Sequence, residues 1–86
     1  MISASEARKK MFVATNEYVA NELAVIEKAI QEATSKRKSM CYVVMQTSKR
    51  EEIKYVLNCY GYNVEYRFSS TNPYSLCDYY EFKIWW

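Results

Sequence analysis

At 86 residues the chain has room for one domain with a single thin hydrophobic core and none for a second. Half of it is apolar and 26% charged, and 12 Lys and Arg against 10 Asp and Glu leave a net charge of +2, short of the cationic surplus that a duplex-binding protein carries. His is absent, which removes the commonest zinc ligand and the usual general base, and no apolar run reaches the ~18 residues that cross a bilayer.

Met1 to Lys10 lacks the apolar core of a signal peptide, so the expected compartment is the cytoplasm in which the protein is made. Cys41, Cys59 and Cys77 are odd in number and form no CxxC pair, so they are expected as reduced thiols at half-buried positions.

Ser3 with Glu6 makes a capping box, and Ile2 can serve as the outer half of a hydrophobic staple, which predicts a helix starting near Ala4. Ala, Glu, Lys, Leu, Ile and Met dominate from there to about Thr34, with no Gly or Pro, so one long helix over residues 4–34 is expected. Ser35 to Ser39 ends it, with Lys36, Arg37 and Lys38 complementing the C-terminal dipole.

Residues 40–46 open with the apolar, β-branched run Met40 to Met45, which suits a strand buried on both faces. Ser48 and Glu51 form a second capping box. Ile53, Val56, Leu57 and Tyr60 then recur at helical spacing before Gly61, predicting a helix over 49–60.

Residues 62–68 alternate, with Tyr62, Val64, Tyr66 and Phe68 on one side and Asn63, Glu65 and Arg67 on the other. Ser69 to Tyr74 has the composition of a loop, with Asn72-Pro73 as its turn signal. A final strand over 77–86 places Tyr80, Phe82, Ile84 and Trp86 opposite Tyr79, Glu81, Lys83 and Trp85.

The order α-β-α-β-β defines a single α+β domain, 1–86. Its long N-terminal helix and its short helix are expected on one face of a three-stranded mixed sheet, with the last strand in the middle and antiparallel to both others.

Thirty residues of helix would extend about 45 Å, whereas a compact chain of this size is roughly 30 Å across. Two or three turns should therefore overhang. Ala7, Met11, Ala14, Tyr18 and Val25 form one apolar stripe; Phe12, Val19, Leu23, Ile26 and Ile30 form another about 100° away. One stripe suits the sheet, and the other needs either the short helix or a second copy, so Ala7, Met11, Ala14, Tyr18 and Val25 are the expected homo-oligomer interface. Arg8, Thr15 and Glu22 intrude on the apolar sector and could fix its register.

Tyr79 and Trp85 share a sheet face with Glu65, Arg67, Glu81 and Lys83. This arrangement reads either as cross-strand packing with solvated ion pairs or as a recognition surface in which aromatics stack and cations hold anions. Arg67, Tyr79, Lys83 and Trp85, with Ser70 and Asn72 from the following loop, are the candidate ligand-binding residues. Lys36 to Lys38 and Lys49, Arg50 and Lys54 read as a basic rim or as ordinary solvated charge. Glu51, Glu52, Glu65, Asp78 and Glu81 show no paired spacing, and no phosphate-binding Gly-rich loop accompanies them, so no enzyme activity, cofactor or metal is expected.

The opening Ile2-Ser3-Ala4-Ser5-Glu6-Ala7-Arg8, the segment Gly61-Tyr62-Asn63-Val64 and the closing Ile84-Trp85-Trp86 resemble small proteins encoded by tailed bacteriophages. In those, an "ITAxEAR" type start leads into a long helix, and a "LxxxGYxV" segment precedes a last strand ending in "ISW" or similar. The resemblance implies a phage protein acting in the host cytoplasm in one of three roles. It could be an oligomeric counter-defence or host-takeover protein that sequesters a cyclic nucleotide immune signal, an inhibitor that binds a host protein directly, or a minor virion component.

Overall fold

The computed structural model describes residues 1–71, 74 and 77–86. Three helices, α1 (Ala4–Tyr18), α2 (Ala20–Ser35) and α3 (Arg50–Cys59), accompany three strands, β1 (Met40–Gln46), β2 (Asn63–Ser70) and β3 (Tyr79–Trp85). The class is α+β, as the sequence predicts.

The order is α-α-β-α-β-β, however, because the expected long helix is two helices broken at Val19. A straight helix over residues 4–35 would measure about 48 Å, more than the 44 Å of the molecule's longest dimension. Val19 leaves helical geometry at φ −110° and ψ 18°, although no Gly or Pro stands there.

Three contacts account for the break. The Val19 side chain is completely buried. One turn earlier, the Thr15 hydroxyl donates to the Met11 carbonyl at 2.7 Å, a back-bond that bends helices. The Lys49 ammonium, from across the fold, donates to the Tyr18 carbonyl at 3.0 Å; it also lies 3.5 Å from the Glu22 carboxylate and 4.4 Å from the centre of the Tyr18 ring. Thr15 and Glu22 thus act within the chain at the break. The expected overhang is instead an arm: α1 meets α3 through the edge-on pair Phe12–Tyr60, ring centres 5.6 Å apart, while α2 packs on β1.

Caps and stops set the ends of these elements. Ser3 accepts a hydrogen bond from the Glu6 amide at 3.2 Å, as its capping box requires. The Ser48 box does not form: the hydroxyl of buried Thr47 accepts from the Lys49 amide at 2.9 Å, and Glu51 instead accepts from the Tyr66 hydroxyl. α3 stops on Gly61 at φ 94°. There the Gly61 amide donates to Asn58 and the Tyr62 amide to Leu57, the paired bonds of a Schellman motif. α2 stops in the same manner, with Arg37 and Lys38 donating to Thr34 and Ala33, but the left-handed position at φ 60° is held by Arg37.

The strand order is β1-β3-β2. β3 lies in the middle as expected, and because both of its pairings are antiparallel the sheet is antiparallel rather than mixed. In the register Val43↔Phe82↔Tyr66 and Cys41↔Ile84↔Val64, one row of side chains turns toward the helices. Phe82 and Ile84 there are fully buried against Ile26, Ile30, Ile53, Val56 and Leu57. A residue such as Ile26, buried completely, contributes about 2 kcal/mol or more through area removed from water.

β1 corrects a further expectation, since only one of its faces is covered: Val43 is buried while Met40, Tyr42 and Val44 are exposed. The smallest dimension, 18 Å, accommodates one helical layer on one sheet about 10 Å apart. The other side of the sheet carries no layer among the described residues.

Candidate functional site

The uncovered sheet face is built by alternation. β1 contributes Tyr42 and Val44, β2 contributes Glu65 and Arg67, and β3 contributes Glu81, Lys83 and Trp85, in the rows Tyr42↔Lys83↔Glu65 and Val44↔Glu81↔Arg67. A shallow hollow of 280 Å³ lies among Tyr42, Glu65, Tyr66, Arg67, Glu81 and Lys83. Arg67 reaches Glu81 at 2.7 Å, its own side chain 78% exposed. Such a pair is worth at most about 1 kcal/mol, so it can open for a partner at little cost. The Lys83 ammonium lies 5.1 Å from the Trp85 ring centre. Two cations and two carboxylates therefore cancel across the hollow.

The predicted ligand-binding residues divide on this surface. Arg67, Lys83 and Trp85 are brought to one region. Tyr79 pairs with Gln46 and, past a bulge between Phe68 and Ser70, with Ser70. Six residues of strand, about 20 Å, separate Tyr79 from Trp85, so the two aromatics cannot hold one small ligand between them. Asn72 lies outside the described residues. Tyr42 and Val44 were missed by sequence reasoning. The signal was available in the alternation of Tyr42 and Val44 with Cys41, Val43 and Met45, but an apolar side chain at nearly every position concealed it.

A second concave surface lies on the helix side. It is a groove of 910 Å³ along α2, lined by Leu23, Ile26, Ile30 and Leu57 together with Tyr60 and Tyr62. The charged residues that line it are Glu17 and Glu27. No motif marks this groove in the sequence, because its lining is assembled from α1, α2, α3 and the residues that follow α3.

A third cluster joins the Lys49, Arg50 and Lys54 segment to the inner face. The Arg50 guanidinium stands 4.9 Å from the Tyr80 ring centre and 5.9 Å from that of Tyr66; Lys54 is 5.8 Å from Tyr66. Phe68 packs edge-on to Tyr80 at 6.2 Å and remains 56% exposed.

The expected interface residues Ala7, Met11, Ala14, Tyr18 and Val25 are all exposed, so the structure separates the two stripes of the N-terminal segment as the periodicity does. The break divides the exposed stripe, leaving Val25 on α2, and the Tyr18 ring is occupied on one side by Lys49.

Cys41 and Cys77 are half-buried as expected, whereas Cys59 is exposed rather than half-buried. Burial raises the Cys41 thiol above its ordinary value. Desolvation by its surroundings raises the Tyr55 phenol, and the Cys59 thiol one turn along adds to the rise by its charge and its hydrogen bond. Both shifts disfavour the nucleophilic anion, opposite to the activation that covalent catalysis needs. Among the described residues, no group of three or more Cys, Asp or Glu side chains is placed to hold a metal ion, and no helix is long and apolar enough to cross a membrane.

The fold and these surfaces define a small α+β domain with one bare sheet face and a bent helical layer. No family model, curated protein or solved structure matches the chain.

Proposed function

We propose that this is a non-enzymatic binding protein of phage origin that acts in host takeover or counter-defence by engaging a host protein directly through its bare sheet face. The observation that carries this reading is the composition of that face. Exposed Tyr42 and Val44 stand beside Trp85 and beside two cations balanced by two carboxylates. Aromatic and aliphatic area ringed by charge of both signs suits a protein surface, whereas a phosphate ligand calls for surplus cations.

The test compares the wild-type chain with Tyr42→Glu and Trp85→Ala as bait in host extract, and then measures affinity for the retained protein. The reading expects one stoichiometric partner whose affinity falls about a hundredfold or more in either variant, as for an interface hot spot. Equal retention by all three would refute it.

Sequestration of a cyclic nucleotide is a second reading, favoured by the cluster of Arg50 and Lys54 with Tyr66, Phe68 and Tyr80, where rings can stack a base and cations can hold its phosphate. A panel of cyclic nucleotides in thermal melts separates the two. A saturable rise in melting temperature that is lost in Arg50→Ala supports this second reading, and an unchanged melt supports the first.

A further inference from the structure

We propose that the arm α1 of one copy seats in the α2 groove of a second copy, and that reciprocal exchange of arms makes a two-fold dimer. The inference is independent of what the bare sheet face binds. It begins from an imbalance: α1 has 15 residues and none of them is buried, whereas an isolated helix of that length is marginal in water. Among the described residues its contacts with its own body include Phe12 against Tyr60 and the core and the pinning of Tyr18 by Lys49. Both lie away from the first two turns.

The outward side of α1 carries an exposed stripe of Ala7, Met11 and Ala14, whose two alanines let a host helix approach closely. At about 100° per residue, Arg8 lies on one flank of this stripe and Lys10 on the other. The groove offers the complement. Its floor is apolar, and its charged residues, Glu17 and Glu27, are both acidic.

Glu17 lies before the break and Glu27 after it, about 15 Å apart along the helix path. A guest helix seated in the groove brings its basic flanks, Arg8 and Lys10, to a lining whose charged residues are acidic. The chain thus carries both halves of a helix-in-groove contact.

Charge reversal with sedimentation equilibrium tests this. All four charged side chains are exposed, so their substitution leaves the fold intact, which the thermal melt and near-UV circular dichroism check. The wild-type chain should be a dimer. Arg8→Glu with Lys10→Glu should weaken it about tenfold or more, Glu17→Lys with Glu27→Lys should do the same, and all four together should restore it. Wild-type protein that stays monomeric overturns the proposal, as does a fourfold variant no tighter than either parent.

Discussion

α1 and α2 are consecutive, similar in length and similar in composition, yet they stand in opposite relations to the core. α2 buries Ile26, Ile30 and Ala33, while α1 buries nothing and is held at its far end by one aromatic pair and one lysine. Helical propensity sets both helices; packing holds α2 along its length and α1 chiefly at Phe12. The comparison teaches that a good helix former on the edge of a small domain is a helix awaiting a surface, and that a single break decides which half receives the core.

The sharpest way to break this contrast is to truncate one residue on each side of Val19. Ile26→Ala leaves a cavity where the side chain is fully buried, and should cost about 2–5 kcal/mol in urea unfolding of the monomer. Met11→Ala, where the side chain is 53% exposed, should cost less than about 0.5 kcal/mol under the same conditions. Equal losses would mean that α1 belongs to the core after all.

Lys49→Met comes next, because it removes the donor to the Tyr18 carbonyl and the partner of Glu22 together. A loss of about 1 kcal/mol is expected, with amide exchange accelerating most in α1. An unchanged exchange pattern would show that Lys49 decorates the break rather than holding it. Arg37→Gly should go the other way, gaining about 0.5–1 kcal/mol, since glycine takes φ 60° without the penalty of a side chain.

The smallest effect is chemical. Burial raises the Cys41 thiol and Cys59 is exposed, so mildly alkaline iodoacetamide should label Cys59 well before Cys41. The raised value also sets a sign for stability. The folded state holds the Cys41 proton more tightly than the unfolded chain, so stability from this group is full below the unfolded thiol's ordinary pKa and falls as pH rises through the folded one.

Much of the fold was legible, and the reasons are local. Ser3, Gly61 and the alternation in residues 62–68 each specify a cap, a stop or a strand within a few residues. The central place of β3 followed from topology. What was not legible depended on distant partners. The break at Val19 is made by burial and by Lys49, thirty positions on, and nothing in Tyr18-Val19-Ala20 signals it. The Ser48 box failed because α3 begins one residue later, with Lys49 as its N-cap and no side-chain cap, and Glu51 is drawn to the Tyr66 hydroxyl. For the site, Arg67, Lys83 and Trp85 were found because alternation placed them. Tyr42 was missed because the apolar β1 sequence hid its exposed face, and the groove was missed because its lining comes from residues far apart in the chain.

The proposed exchange of arms places the partner of α1 in another copy. Amide exchange measured across a range of protein concentrations tests this directly. Protection of Ala7 to Ala14, and of the groove around Leu23 and Glu27, should rise with concentration while that of β3 stays constant. Protection in α1 that is independent of concentration would contradict it.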